Sequence, residues 1–214
     1  DIDGEAEGDC SGEAVCLSND GSIVAISARY NSGNGPESGH VRVFKNVNDN
    51  WVQIGKDIDG EAANDSIFSI SLSSDGNTLA VGAAANDSNG EGSGHVRVFK
   101  NVNDNWVQIG KDIDGEAAWD SSGHSVSLSN DGSTIAIGAP SNDGIGGYSS
   151  GHVRVYKNNN SRWEKVGDDI DGKTRNESFG TSVSLSSDGS ILAIGRDGGH
   201  EAYIRGLRLD FVRV

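Results

Sequence analysis

A group of closely spaced carboxylates recurs along the chain and is the first feature that could perform chemistry. The string Asp-Ile-Asp-Gly begins at Asp1, Asp57, Asp112 and Asp169, and a glutamate follows it in the first three copies. In an extended segment the two aspartates share one face, and paired oxygens on a rigid edge are ligands that calcium accepts. The candidate calcium residues are Asp57, Asp59, Glu61, Asp112, Asp114 and Glu116. The alternative interpretation is an acidic, solvated connector between repeats.

A second oxygen-rich segment lies in a polar, glycine-rich loop. Asp87, Asn89 and Glu91 stand at alternate positions, which is similar to half of a calcium loop. The third repeat carries no later acid at this place, so this site is expected in one repeat alone. Calcium is thus a candidate cofactor, and the sequence makes no cofactor certain.

Three histidines occupy equivalent places in the recurring string Ser-Gly-His-Val-Arg-Val, namely His40, His95 and His152. They belong to the expected third strand of each repeat, away from the centre of a ring. Equivalent positions there do not converge, so a metal shared by the three is not expected. A structural role, such as a hydrogen bond to a turn, is predicted instead.

Motifs of the common enzyme classes are absent: the sequence has no Gly-x-Ser-x-Gly, no His-Glu-x-x-His and no phosphate loop. The sequence therefore predicts that the protein is not an enzyme. Two aromatic residues, Trp119 and Tyr148, interrupt the repeat, and exposed rings at a rim stack on sugars. They are candidate sugar-binding residues, with packing as the alternative.

Composition restricts the partners. The net charge of −15 over 214 residues argues against binding nucleic acid through phosphates, which requires a basic surface. No run of 18 apolar residues is present, so no membrane span is predicted. Four Asn-x-Ser sequons are candidate glycosylation sites in a secreted, extracellular protein, namely Asn64, Asn86, Asn159 and Asn176. The sequence begins inside a repeat marker without Met, as expected for a mature or trimmed product.

The two cysteines, Cys10 and Cys16, both lie in the first repeat, where the third repeat has Ser121 and Ser127. A local disulfide is one interpretation. The other is that two small residues fill serine-like positions.

The repeat predicts the fold. Residues 67–73 and 78–83 alternate apolar and small residues, an Asp-Gly turn joins them, and two further short apolar runs follow at 95–100 and 106–110. Each unit of about 55 residues is therefore predicted to form four antiparallel strands, which is typical of an all-β, β-propeller architecture. The predicted blades are 1–56, 57–111, 112–168 and a degenerate 169–214, in one domain. The alternative is an open β-solenoid.

One set of motifs resembles the FG-GAP repeats of the integrin-α-like propeller family, which includes secreted microbial and algal proteins. The matching residues are Phe179-Gly180 with Ser182–Leu185, and Ile137-Gly138-Ala139-Pro140. The resemblance covers most of the chain and implies a propeller. Its calcium-binding members carry several carboxylates in the first hairpin turn. Here that turn has one, as at Asp75, too few for calcium.

Taken together, these features predict a non-enzymatic, extracellular structural or protein-interaction propeller. The alternative is a lectin-like, carbohydrate-binding propeller. In the fourth repeat, residues 210–214 are predicted to be the third strand, which leaves an open edge. We expect that edge to be completed by a protein partner, a second copy or further sequence, through strand addition.

Overall fold

The computed structural model describes residues 1–197 and 202–207. Within these two ranges all regular structure is β-strand, and no helix is present. The prediction of an all-β chain with antiparallel four-stranded units is confirmed for the first three units. Across the same ranges, no helix is long and apolar enough to cross a bilayer.

The first sheet has four principal strands in the order of the sequence. They are β1 (Ser11–Leu17), β2 (Ile23–Ala28), β3 (His40–Val47) and β4 (Asn50–Gln53). A fifth strand of two residues, β5 (Ile58–Asp59), pairs with the outer side of β3. The sequence did not predict this strand. It means that the Asp-Ile-Asp-Gly segment, which opens the second repeat, belongs by its hydrogen bonds to the first sheet.

The second and third sheets repeat this arrangement. The second sheet contains β6 (Ile67–Leu72), β7 (Thr78–Ala83), β8 (His95–Val102), β9 (Asn105–Gln108) and β10 (Ile113–Asp114). The third contains β11 (Ser125–Leu128), β12 (Thr134–Ala139), β13 (His152–Asn159), β14 (Arg162–Lys165) and β15 (Ile170–Asp171).

The fourth sheet has three described strands, β16 (Ser182–Leu185), β17 (Ile191–Gly195) and β18 (Tyr203–Gly206). This corrects the expectation that residues 210–214 form its third strand. That place is taken by β18, which pairs with β17 through Ile194 and Tyr203. Residues 210–214 lie outside the described ranges.

A serine and an aspartate fix each hairpin between the first two strands of a sheet. In the third sheet Ser129 donates to Asp131 Oδ1 at 2.7 Å, and the Ser133 N–H donates to the same oxygen at 2.9 Å. Gly132 takes a φ of +68°, which a side chain would strain. Burial alone would raise the pKa of Asp131, but these hydrogen bonds bring the pKa below its usual value. The carboxylate therefore holds the turn in its charged form.

The sheets pack face to face in chain order. We call the face of a sheet that is turned toward the preceding sheet its upstream face, and the opposite one its downstream face. Small downstream residues such as Ala80 lie against large upstream residues such as Ile135 and Ile137, and all three side chains are fully or almost fully buried. The same match of small against large side chains buries the other two interfaces.

The backbones of neighbouring sheets approach most closely at a glycine in the second strand. A Cβ atom on Gly138 would overlap the carbonyl group of Gly180 in the fourth sheet. Gly82 stands in the same relation to Gly123 of the third sheet. The hydroxyl of Ser125 donates to the Gly180 carbonyl at 2.8 Å, so the close approach is also a hydrogen-bonded one.

Cysteine takes part in the same sheet-to-sheet contact. The hydroxyls of Ser71 and Ser127 accept from the N–H of Leu128 and of Leu185 in the next sheet, each at 2.9 Å. Cys16 occupies the equivalent position in the first sheet, and burial raises the pKa of its thiol to about 12. Both Cys10 and Cys16 are free, so the disulfide considered above is not formed. Cys16 instead packs against the first core cluster, which is the set of buried residues between the first and second sheets that includes Val41, Val43, Leu79 and Val81.

We predict that Gly138→Ala destabilises the protein by about 3 kcal/mol, because the added methyl group must push the third and fourth sheets apart. Gly195→Ala is the matched control. Gly195 has the same place in the fourth sheet, but the nearest atoms to a Cβ there all belong to Ser182 of the paired strand, and the closest is its side-chain hydroxyl. The free energy of unfolding, measured by urea denaturation, should fall much less for the control. Equal losses would contradict the role of the close approach.

Candidate functional site

The recurring strings of the repeat meet at the outer edge of each of the first three sheets. There the third strand presents a histidine and an arginine between two Asp-Ile-Asp-Gly connectors. The glutamate comes from the connector before the sheet and an aspartate from the connector after it. We call each such set a junction cluster. The three clusters are Glu5, His40 and Asp57; Glu61, His95 and Asp112; and Glu116, His152 and Asp169.

In each cluster the candidate ligand atoms lie within 4.8 Å of one another. His40 Nδ1 is 3.7 Å from Glu5 Oε2 and 3.8 Å from Asp57 Oδ2. In the second cluster His95 Nδ1 is 3.8 Å from Glu61 Oε2. The imidazoles are buried, whereas the glutamates are exposed. One side of each cluster is therefore a fixed ring and the other is open to solvent.

An arginine holds each glutamate connector against the following sheet. Arg97 Nη2 donates to the Asp59 carbonyl at 2.5 Å, and Nη1 is 3.7 Å from Glu61 Oε1. Its guanidinium also lies over the Phe99 ring, 5.4 Å from the centroid. A buried aspartate, Asp65, fixes the connector from below by accepting from the N–H of Glu61 at 2.8 Å. The position of the glutamate is thus set from both sides.

Burial disfavours the charged form of two of these histidines, His95 and His152. Burial lowers the pKa of His95, the nearby Arg97 guanidinium lowers it further, and the carboxylates of Glu61 and Asp112 oppose this. Burial, together with the Arg154 guanidinium, lowers the pKa of His152 to about 4. Neutral imidazole is the form that can donate from one nitrogen and offer a lone pair at the other.

The structure separates the carboxylates that the sequence grouped for calcium. Asp57 and Glu61 belong to one connector but to different junction clusters. Between them, Asp59 uses its backbone carbonyl for Arg97, and burial and the Asp57 charge raise the pKa of its side chain. The same division holds for the next connector, where Asp112 and Glu116 lie in successive clusters and the Asp114 carbonyl accepts from Arg154. Calcium binding by a whole connector stays a prediction.

The fourth repeat loses the components of the junction cluster together. Lys173 stands where the other connectors have glutamate. Tyr203 pairs with Ile194, which is the register that Arg154 has against Ile137. The sequence shows the loss of the glutamate at Lys173. It hides the loss of the arginine, because residues 210–214, predicted to be the third strand, contain Arg213; the register of β18 reveals this loss. An alignment of Tyr203 with Arg154 is the signal that could have linked the two strings.

The second calcium candidate is used by the loop itself. Asp87 Oδ1 accepts from the Gly92 N–H at 2.7 Å, and the Asn89 amide donates to the carbonyls of Gly115 and Glu116 at 2.8 and 3.0 Å. Glu91 is exposed, and its backbone carbonyl accepts from Trp119. Asn89 therefore joins the loop to the following connector and turns its NH₂ group, which binds no cation, inward.

The two candidate sugar-binding aromatics line one cleft. Trp119 and Tyr148 are 61% and 59% exposed and border a cavity of about 630 Å³ between loops of neighbouring sheets. Asp120, Asn142 and Asp143 supply polar groups to the same cavity. Trp119 has a φ of +70°, which is unusual for a bulky residue.

The sequons differ in access. Asn64, Asn159 and Asn176 are exposed. Asn86 is buried, and its amide nitrogen, the atom that would carry a glycan, donates to Asp65 at 3.1 Å. The prediction that Asn86 is a glycosylation site is therefore corrected. A glycan on this buried amide would break its hydrogen bond to Asp65 and would not fit in the space around it.

The two ends of the described array are open. Val15 and Leu17 on the upstream face of the first sheet are 64% and 59% exposed, whereas the equivalent Val126 and Leu128 of the third sheet are buried. On the downstream face of the fourth sheet Ile204 is 70% exposed. Within the described residues, the innermost strands contact one another in the series β1, β6, β11 and β16.

Comparison with known proteins gives a fold. No protein-family model matches the chain, and no curated protein matches it. The FG-GAP resemblance therefore stays a prediction. Among solved structures, the chain is similar to the hydrazine synthase of Kuenenia stuttgartiensis, with a TM-score of 0.56 and 17% identity, over 94% of this chain and 47% of that one.

Two further solved structures are described as putative 6-phosphogluconolactonases. The protein from Bacteroides uniformis has a TM-score of 0.59 and 14% identity, over 90% of this chain and 55% of that one. The protein from Bacteroides fragilis has a TM-score of 0.51 and 13% identity, over 74% of this chain and 38% of that one. The chain thus spans about half or less of the length of these structures, and the likeness shows a propeller-like, all-β fold.

These comparisons contradict the prediction that the protein is not an enzyme. The solved structures that share its fold bear the names of enzymes, so the absence of a familiar catalytic motif does not separate this chain from them. The low identity transfers no reaction, substrate or residue role.

We predict that Arg97→Met lowers the free energy of unfolding by about 2 kcal/mol, because the Asp59 carbonyl loses a charged donor and Glu61 its ion pair. Methionine keeps the apolar stem, so packing loss is small. Arg162→Met, on the exposed strand β14, is the control and should change stability by under about 0.5 kcal/mol. A loss as small for Arg97 as for Arg162 would show that the arginine does not hold the junction.

Proposed function

We propose that the four sheets are blades of a β-propeller and that the protein is an assembly module, whose two end faces bind the blades of a second copy. The observation that carries this proposal is the exposure, at the ends of the array, of the same positions that are buried between blades inside it. An internal blade-to-blade interface is thereby present on the surface as two separate halves.

The upstream half lies on the first blade. It comprises Val15, Leu17, Val24, Ile26 and Trp51, which are partly or largely exposed. Their counterparts in the second blade pack against the first core cluster, namely Ile70, Leu72, Leu79, Val81 and Trp106. The Trp106 indole also donates to the Ile54 carbonyl of the preceding blade at 3.2 Å. This face is therefore built to receive a blade.

The downstream half lies on the fourth blade. Ile191 and Ile204 are 50% and 70% exposed, whereas Thr134 and Val155, their counterparts in the third blade, are 1% and 3% exposed. Ala193 supplies the small residue against which large upstream side chains pack elsewhere. Because the two halves match each other and neither matches itself, a second copy would bind head to tail.

We predict that the chain self-associates and that Leu17→Glu and Ile204→Glu each weaken association at least about tenfold, which corresponds to about 1.4 kcal/mol. Each substitution places a charge at the centre of one half of the interface. Sedimentation equilibrium over a range of protein concentrations measures the effect, and mixing the two variants tests the direction. Because each variant keeps one native half, the mixture should form heterodimers and should not grow further.

Ile145→Glu is the control for these variants. Ile145 is 90% exposed and lies in a loop outside both end faces, so its replacement should leave association unchanged. A native chain that remains monomeric at every concentration would contradict the proposal. So would a loss of association that is equal in all three variants.

A second candidate function, carbohydrate binding, is favoured by the cleft that contains Trp119 and Tyr148. Two exposed rings with carboxylate and amide groups beside them suit a sugar, whose faces are apolar and whose edges are hydroxyls. The cleft lies on loops, away from the two end faces, so both functions can coexist.

We predict that Trp119→Ala abolishes binding on a glycan array, because the ring supplies the stacking surface. Val102→Ala is the control: it removes an exposed apolar side chain from the second blade, outside the cleft and outside both end faces. A native chain that binds no glycan, or a Trp119→Ala variant that binds as well as the control, would rule out a lectin role for this cleft.

A further inference from the structure

The least satisfied polar side chain of the second junction cluster is His95. Its side chain is fully buried, and neither Nδ1 nor Nε2 has a hydrogen-bond partner. A buried imidazole without a partner costs free energy, and the same histidine recurs in three blades. His152 Nε2 is likewise buried without a partner. A group that accepts the lone pair of His95 Nδ1 would satisfy one of its two unpartnered nitrogens.

The surroundings of Nδ1 indicate what that group is. The atom is directed at Glu61 Oε2, 3.8 Å away, and an oxygen of Asp112 completes the set within 4.8 Å. We propose that each junction cluster binds a zinc-class divalent cation through His Nδ1, a glutamate oxygen and an aspartate oxygen, with water as the fourth ligand.

Ligand chemistry favours zinc over calcium here. Zinc takes three protein ligands of the imidazole and carboxylate type with one open position, whereas calcium takes six or more oxygens. Tetrahedral zinc at about 2.1 Å holds its ligands about 3.4 Å apart. The ligand atoms of the second cluster would therefore close by roughly 1 Å. The exposed Glu61 side chain can rotate toward the histidine, and the half-buried Asp112, which accepts from Gln108 through Oδ1, must also shift.

The arginine beside each cluster orients the glutamate for metal binding without being a ligand itself. Arg97 Nη1 faces Glu61 Oε1, so the other oxygen, Oε2, remains directed at the histidine. A hydrogen-bonded carboxylate with one free oxygen is a common orientation at metal sites. The positive charge of Arg97 lowers the affinity for a cation, but two carboxylates against one guanidinium leave the second cluster with a net negative charge. In the third cluster Lys165 Nζ lies 2.6 Å from Asp169 Oδ1, so a cation must compete with this ammonium group for that carboxylate.

The fourth sheet provides a contrast within the same chain, because its described residues form no junction cluster. Lys173 replaces the glutamate there, and an ammonium group cannot ligate a cation. The proposal therefore assigns three sites to the described residues, one in each of the first three junction clusters.

The test is metal stoichiometry on the full chain after equilibrium dialysis against zinc, read by elemental analysis. The native protein should bind three zinc ions. Glu61→Gln should bind two, and Glu5→Gln/Glu61→Gln/Glu116→Gln should bind none. Asp114→Asn is the matched control, because Asp114 is an exposed carboxylate of the same connector outside all clusters, and it should bind three. Circular dichroism should show that every variant is folded, since the altered side chains are exposed.

Cobalt(II) in place of zinc supplies a second readout. Visible absorption of tetrahedral intensity should appear with the native chain, fall by about a third in Glu61→Gln, and survive an excess of calcium. Zinc uptake that is absent from the native chain, unchanged in Glu61→Gln or abolished by calcium would overturn the proposal. Asp112→Asn serves as an independent variant, and retention of all three ions by it would also overturn the proposal.

Discussion

The contact on which the structure depends is the packing of one sheet on the next, small residues against large. Ala80 and Gly82 of the second sheet leave room for Ile135, Ile137 and the backbone at Gly123. Because the sheets are this close, side chains of one sheet can form hydrogen bonds with the backbone of the next. The Ser125 hydroxyl donates to the Gly180 carbonyl, the Trp106 indole to the Ile54 carbonyl, and Arg97 to the Asp59 carbonyl. A chain with few apolar residues thereby obtains a continuous core.

The strands and turns could be predicted from the local sequence pattern, whereas the junction clusters could not. Alternation in residues 67–73 and the Asp-Gly turn after them are properties of neighbouring residues, so the first hairpin of each sheet could be predicted. The second junction cluster joins residues from Glu61 to Asp112, and Arg97 beside it donates to the Asp59 carbonyl, 38 positions away. Each connector is thereby divided between two clusters. Sequence proximity suggested that Asp57 and Glu61 act together. The two-residue strand at Ile58 directs them to different sheets instead.

The buried polar groups gave the other discrepancies. Asn86 matches a glycosylation motif, yet its amide is a buried donor to Asp65. Cys16 was a candidate for a disulfide, yet it takes the place of a half-buried serine acceptor between sheets. In both cases a short motif competes with the requirement that buried polar atoms be paired, and the fold satisfies the second. Trp119 and Tyr148 could be selected from the sequence because they interrupt the repeat. The structure adds that their loops meet at one cleft.

The division of each connector between two junctions has a consequence for change in repeat number. Residues 39–62 and 94–117 have the same sequence, and each holds the aspartate of one junction and the glutamate of the next. Recombination between them would delete or add one whole repeat and join matching halves, so that each charge pair is restored. The fourth repeat, with Lys173 and Tyr203, could not exchange in this way. The number of repeats before it can therefore change while the fourth repeat stays distinct.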